Sequence, residues 1–303
     1  MSASEEDIQA SAAMSALKPK SLLSDTAHLF RNRRILEVKG DLTGLEVIAT
    51  GGAPSEDERG RFVSLLTSDG RLDADLYIAP FEGGWLVDVH AELLTQVFER
   101  LAGLAGVTSV DRSAVERWRI FGELPDQKGA ETPFQTLRFA DTRRRELGNR
   151  VFRAAAEPEG FDWRHARKWD GQAMRLGVLP DHRCVLGKGI LPQEAGYHRL
   201  LGGSDAVTPN EIRRRVLPVR VDPRNKTIPV MADAPILADG REIGTMLDQE
   251  GLCGIALVTL QPWREALQTE TRITCLDEPV LISWPTWLSS ESEGRVGPAS
   301  HQI

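Results

Sequence analysis

The sequence predicts an α+β protein in which antiparallel sheets with a few helices are followed by a small C-terminal β-barrel. Three observations carry this. Apolar-alternating segments between Arg34 and His90 are joined by hairpin-type turns rather than by crossover helices. One stretch after them is strongly amphipathic at helical spacing. Beyond Gly203 the chain becomes a run of short alternating segments at nearly even intervals.

The elements follow in order. "RILEVKG" (34–40) alternates and reads as a strand. "GGAPSEDERG" is a turn-rich loop. "RFVSLL" and "DADLYIA" read as strands around "TSDGR", where Asp69-Gly70 is a hairpin signal. "GWLVDVH" is a further strand with Trp85, Val87 and Val89 on one face. A helix from about Ala91 to Leu104 buries Leu94, Val97, Phe98, Leu101 and Leu104 as a stripe. "VERWRIFGEL" returns to strand, and residues 127–160 read as polar and turn-rich. "DWRHARKWDGQAMRLG" (162–177) reads as a helix with Asp162 as N-cap and Gly177 as stop. The barrel segments are "RRRVLPVRVD", "TIPVMAD", "REIGTML", "GIALVTL", "RITCL" and "PVLISW".

These readings divide the chain into a disordered leader (1–31), an α+β domain (32–205), a barrel (206–290) and a disordered tail (291–303), with the domain boundary near Ser204 to Asn210. At 303 residues there is material for one large or two smaller cores. Hydrophobic residues make up 41% and charged residues 27%, and the net charge is -7. That charge disfavours bulk binding of nucleic acid, so no direct nucleic-acid partner is expected. There is no apolar run of membrane-spanning length and no signal-peptide pattern. The expected location is cytoplasmic, with the mitochondrial matrix as the alternative because the segment up to Arg34 carries Ser and Arg.

No motif of high chemical specificity is present. There is no P-loop, GxGxxG or GxSxG. Cys184, Cys253 and Cys275 form no CxxC, and His182 and Cys184 are followed by no second ligand pair, so no metal site is expected. Asp73 and Asp75, two apart on a strand, would share a face: either a pair for acid–base work or a solvated surface. Glu194 sits in "GKGILPQEAGYHRLLGG". Held by the preceding proline between glycines, it is either a solvated loop acid or a carboxylate able to take two parallel N–H bonds from a heterocycle. Tyr197 and His198 could stack on such a ring or pack on the barrel. The basic runs Arg143 to Arg145, Arg164/Arg167/Lys168 and Arg213 to Arg215 read as solvated faces, with phosphate or an anionic tail as the alternative.

Four blocks together resemble the YgfZ-type folate-binding family, relatives of the glycine-cleavage aminomethyltransferases (GcvT-like). They are "GRFVSLLTSDGRLDADLYI", "GWLVDVHAELLTQVFERLAGL", "GILPQEAGYHRLLGG" and "DGREIGTMLDQEGLCGIALVTL". The resemblance implies tetrahydrofolate or a derivative as cofactor. It implies folate-binding residues at Glu194, Gln193, Asp75 and Tyr197, and no catalytic residue is assigned. It further implies an accessory role in assembling or repairing iron–sulfur enzymes, with client or assembly proteins as partners and tRNA modification downstream. Two alternatives stand beside it: a tetrahydrofolate-dependent one-carbon transferase of the aminomethyltransferase type, and a scaffold that only binds protein. The sequence departs from the family at its hallmark "K-G-C-Y-x-G-Q-E". Gly203 runs straight into "SDAVTPNEIRRRVLPVRVD", and the echo "KGILPQE" has Ile190 at the cysteine position. A cysteine-dependent step is therefore not expected.

Overall fold

The computed structural model describes residues 28–55, 58–123, 135–154, 166–185, 187–201, 212–222 and 231–288. The first half contains β1 (His28–Leu29), β2 (Arg33–Gly40), β3 (Ala49–Thr50), β4 (Arg61–Leu66), β5 (Leu72–Phe81), β6 (Gly84–His90), helix α1 (Leu94–Ala102) and β7 (Val107–Asp111). Then come α2 (Ala114–Arg117), β8 (Trp118–Glu123), β9 (Thr136–Ala140), β10 (Asn149–Ala154), α3 (Ala166–Arg175) and α4 (Tyr197–Leu200). The second half contains β11 (Arg214–Val221), β12 (Pro235–Ala238), β13 (Arg241–Glu250), β14 (Cys253–Thr259), α5 (Leu260–Gln268), β15 (Ile273–Cys275) and β16 (Glu278–Ile282).

The α+β class and the barrel are as the sequence predicts. One sheet runs β3-β4-β5-β6-β2-β7 and a second runs β1-β8-β10-β9. The C-terminal strands close as β11-β14-β13-β12-β15-β16, which leaves no exposed edge. The β4–β5 hairpin turns at Gly70, whose φ of 77° suits a residue without Cβ. Trp85, Val87 and Val89 share one face as expected, and that face packs in one cluster with Val97 and Leu101 of α1, both fully buried. The other face of this sheet, the second sheet, α3 and barrel residues Val216, Leu247, Ile255 and Leu257 share one continuous core. The two halves are therefore packed together rather than merely tethered.

Several expectations need correction. His28–Leu29 belongs to the expected leader but pairs with β8 through Gly122 and Phe121. The polar stretch 127–160 holds β9 and β10, whose inward residues Phe139 and Phe152 are separated by charged ones. "VERWRIFGEL" begins as a helical turn before the strand. In "TIPVMAD" the described residues from Met231 form a turn, and the strand is the next segment, Pro235–Ala238. Helix α5 was not anticipated: Leu260, Trp263 and Ala266 bury one face over the barrel core. The Asp162 cap and the boundary at Ser204 to Asn210 lie outside the described residues. Gly177 does end its helix, with a φ of 72°.

Candidate functional site

The inward face of the first sheet would ordinarily be apolar, and in part it is: Ile35, Ala79 and Leu86 are buried there. At two-residue spacing from them stand Arg33, Tyr77 and Asp88, with Asp75 two residues before Tyr77. Strand pairing sets Tyr77 opposite Asp88. Across the core, β10 contributes Arg150 two residues before Phe152. Arg33, Asp75, Tyr77, Asp88 and Arg150 are all buried.

Arg33 is the hub. Its Nη1 donates to Asp75 Oδ2 and its Nε to Asp88 Oδ1, both at 2.5 Å, and its Nη2 donates to the backbone oxygens of both aspartates. Arg150 Nε lies 3.4 Å from Asp88 Oδ2. A third pair joins them: Arg143 is bidentate to Asp141 at 3.0 and 2.9 Å, and Asp141 Oδ2 also accepts from the Tyr77 hydroxyl at 3.0 Å. Three arginines thus face three aspartates. Burial works against charge on Arg33 and Arg143, but the adjacent aspartates outweigh it and hold both guanidinium groups charged. Burial also pushes the Tyr77 and Tyr197 hydroxyls well up, so both phenols stay neutral.

Aromatic rings line this charged centre. The guanidinium carbon of Arg150 is 3.8 Å from the Tyr77 ring centroid and 4.2 Å from that of Phe30. That of Arg143 is 4.4 Å from Phe62, whose ring meets Tyr197 edge-on at 5.5 Å. Trp169 of α3 closes one side. Two groups are left without a hydrogen bond. Asp75 Oδ1 and Arg150 Nη1 are buried with no hydrogen-bond partner among the described residues, while Arg150 Nε is held by its ion pair to Asp88. An unsatisfied buried polar atom costs about 1–3 kcal/mol, so such atoms mark where a polar partner would be stabilised. An acceptor and a donor beside flat rings suit a planar heterocycle with N–H and C=O on one edge, which a pterin has. The residues present therefore fit a reduced folate.

Of the four predicted ligand residues, the structure brings Asp75 and Tyr197 to this centre and leaves two elsewhere. Glu194 Oε1 accepts from Arg214 Nε at 2.7 Å, and Oε2 accepts from Arg214 Nη2 and the Leu191 N–H, both at 2.9 Å. Its backbone oxygen takes the Val216 N–H at 2.8 Å. In this structure the carboxylate expected to bind a heterocycle clasps its loop to the first barrel strand, the rigid turn setting it against the Arg214 fork. Gln193 joins the same clasp through its backbone oxygen, which accepts from Arg215 Nη1.

Asp73 and Asp75 do not form a pair. Between Leu65 and Leu66 the β4–β5 register shifts, leaving Asp73 as the extra residue of a bulge. Asp73 turns to α1, where Gln96 and Arg100 donate to it at 2.8 Å, while Asp75 faces the centre. The run Arg143 to Arg145 is not a solvated face throughout, since Arg143 is buried. Arg33, Asp88, Asp141 and Arg150 were not singled out from the sequence. The available signal was a charged residue two positions from a buried apolar one on the same strand face. Cys184 is fully buried, and burial with the nearby Asp248 and Asp181 charges pushes its thiol well up; Cys275 is buried and Cys253 half-buried in barrel strands.

Residues 213–290 match the family model for the CAF17 C-terminal beta-barrel domain. No curated protein matches the chain. Among solved structures, the glycine cleavage system aminomethyltransferase T from Bartonella henselae matches over 86% of each chain, at 15% sequence identity and a TM-score of 0.49. The matched family segment coincides with the closed barrel, and this CAF17-type barrel bears out the resemblance to the YgfZ-type folate-binding family.

Proposed function

We propose that this chain binds a reduced folate at its buried arginine–aspartate–aromatic centre and acts as an accessory factor in the assembly or repair of iron–sulfur enzymes. The observation that carries the binding half is the pairing of an open acceptor, Asp75 Oδ1, with an open donor, Arg150 Nη1, inside an aromatic surround. Asp75 would take N–H groups of the pterin edge, Arg150 its carbonyl side, and Tyr77 and Phe30 its flanks. A bound folate would supply a one-carbon carrier; the residues at the centre bind and orient it and exclude water.

The accessory role rests on the matched barrel. The chemistry of the cysteines agrees with it. A reactive thiol needs exposure and a nearby cation, whereas Cys184 faces carboxylates in a buried place. The proposed partners are iron–sulfur client or assembly proteins, with tRNA modification following from the clients. Among the described residues no helix is long and apolar enough to cross a membrane.

The test of the binding half is thermal denaturation with 5-formyltetrahydrofolate. A ligand that binds only the native state stabilises it by about 2.7 kcal/mol at a hundredfold excess over Kd, so Tm should rise by a few degrees. No rise at any concentration would reject folate binding. The accessory role is tested by rescue of iron–sulfur enzyme activity in bacterial cells deleted for their own YgfZ-type protein; absence of rescue by a stable, expressed chain would reject it.

A further inference from the structure

Strand β8 carries a residue without a side chain beside the charged centre. Gly122 pairs with Arg150 of β10 on one side and with His28 of β1 on the other. Its backbone is ordinary strand, outside the left-handed region that favours glycine. The residue type therefore answers to space rather than to a turn. A Cβ there would lie 2.9 Å from Phe30 Cε2, 3.0 Å from Phe30 Cζ and 2.9 Å from Trp169 Cδ1, well inside ordinary carbon–carbon contact. The bare strand at Gly122 is the floor on which two rings from distant parts of the chain meet.

Both rings are anchored. Phe30 follows β1, and its N–H donates to the Ile120 carbonyl at 3.0 Å. Trp169 comes from α3, and its indole N–H donates to the Leu147 carbonyl at 3.1 Å. They meet edge to face, with centroids 5.2 Å apart and planes at 87°. Arg150, opposite Gly122, sends its guanidinium carbon to 4.2 Å from the Phe30 centroid and 5.1 Å from that of Trp169. From β5 the Tyr77 ring lies 3.8 Å from the same carbon. Three rings thus surround one guanidinium, and the 3.4 Å approach of Nε to Asp88 Oδ2 restrains it further. They leave Nη1 buried without a hydrogen-bond partner among the described residues.

We infer that Gly122 is a positioning residue: by lacking a side chain it lets Phe30 and Trp169 close on Arg150, and so aims the Nη1 donor before a ligand arrives. This rests on the reading above, in which Arg150 donates to the carbonyl side of a folate ring. Arginine has a flexible stem, but its guanidinium is a rigid planar fork whose donors point in fixed directions. A fork held by ring faces and one ion pair presents its free donor one way. A fork free to turn must be ordered by the ligand, which weakens binding. Gly122 brings no side chain to the ligand; its influence runs through the two rings.

The first experiment is a double-mutant cycle on 5-formyltetrahydrofolate affinity. Gly122→Ala should lower affinity about 3- to 10-fold, the effect of ordering one long side chain on binding rather than beforehand. In an Arg150→Met background the same substitution should lower it less than about twofold, because the group being aimed is gone. Trp169→Phe keeps a ring and gives up the N–H that fixes it to Leu147. It should behave in the same way, and it serves if Gly122→Ala does not fold. Equal losses in both backgrounds, or no loss from either variant in the wild-type background, would overturn the inference.

The second experiment needs no ligand. In protein carrying isotope-labelled arginine, the Nε–H resonance of Arg150 is the one lost in Arg150→Met. Set among three rings, it should be ring-shifted and slow to exchange with water. Gly122→Ala and Trp169→Phe should both move it and quicken its exchange. A resonance unchanged in both variants would equally overturn the inference. If the resonance responds but no folate binds to any of these proteins, the ring cage stands and the ligand reading fails. If folate binds and the losses are the same in both backgrounds, the positioning role fails and the ligand reading stands.

Discussion

Arg33 holds the Asp75 carboxylate by one of its two oxygens: Nη1 donates to Oδ2 at 2.5 Å, while Oδ1 is buried without a hydrogen bond from the described residues. That asymmetry separates the two duties of Asp75. Oδ2 keeps the arginine in place, and Oδ1 is available to a ligand. The clean probe is therefore Arg150, which contributes a donor without belonging to the Arg33 hub's hydrogen bonds. Arg150→Met keeps the apolar stem against Tyr77 and Phe30 and removes the donors. It should weaken 5-formyltetrahydrofolate binding by about 10- to 100-fold, from about 1.5–3 kcal/mol for a charge-assisted hydrogen bond. It should also destabilise the fold, because Asp88 loses part of its compensation. Equilibrium binding on the folded variant reads the first effect, and unchanged affinity would remove Arg150 from the site.

Glu194 is predicted to matter for stability rather than for ligand contact. Glu194→Ala removes a nearly buried carboxylate from the Arg214 fork and frees the Leu191 N–H. Arg214 is partly exposed, and water takes up some of the loss, so the expected cost is about 1–2 kcal/mol. Denaturant unfolding should show it as a lower midpoint, with folate affinity near wild type. A large affinity loss with unchanged stability would return Glu194 to the binding site.

Asp73→Ala should be uncoupled from Asp75. It breaks the contacts to Gln96 and Arg100 on the far side of the sheet. Such half-buried pairs contribute on the order of 0.5–1 kcal/mol. Folate binding should be unaffected, and a drop in affinity matching that of an Asp75 variant would show that the two carboxylates act together after all.

The thiols offer a further check. Cys184→Ala together with Cys253→Ser and Cys275→Ala should leave folate binding and cellular rescue close to wild type, because the one cysteine near charged groups sits beside carboxylates that disfavour its thiolate. Loss of rescue from Cys184→Ser in a stable protein would make it a functional thiol.

The sequence was most readable where period and turn chemistry agree. The hairpin at Asp69-Gly70, the α1 stripe and the closed barrel all follow from alternation, helical spacing and glycine placement. It was least readable where charged residues face inward. Arg33, Asp88 and Arg150 interrupt apolar strands as surface residues would, and nothing local says that three arginines and three aspartates neutralise one another in the core. The same blindness hid β10, whose arginines made it look like a loop, and placed Arg143 on the surface. A period of two puts Asp73 and Asp75 on one face because a bulge is invisible to it. Local sequence shows that a turn fixes the Glu194 carboxylate, but its arginine partner lies twenty residues ahead on another element.

The most direct test is calorimetric titration of 5-formyltetrahydrofolate into the wild-type chain and into Asp75→Asn. Asparagine keeps the size of the side chain and one oxygen but removes the charge. The account predicts saturable binding to the wild type and affinity lowered about 10- to 150-fold in the variant, corresponding to about 1.5–3 kcal/mol, with unfolding measured separately to show that the variant is folded. Equal affinity in the two proteins, or no heat of binding to the wild type, would contradict it.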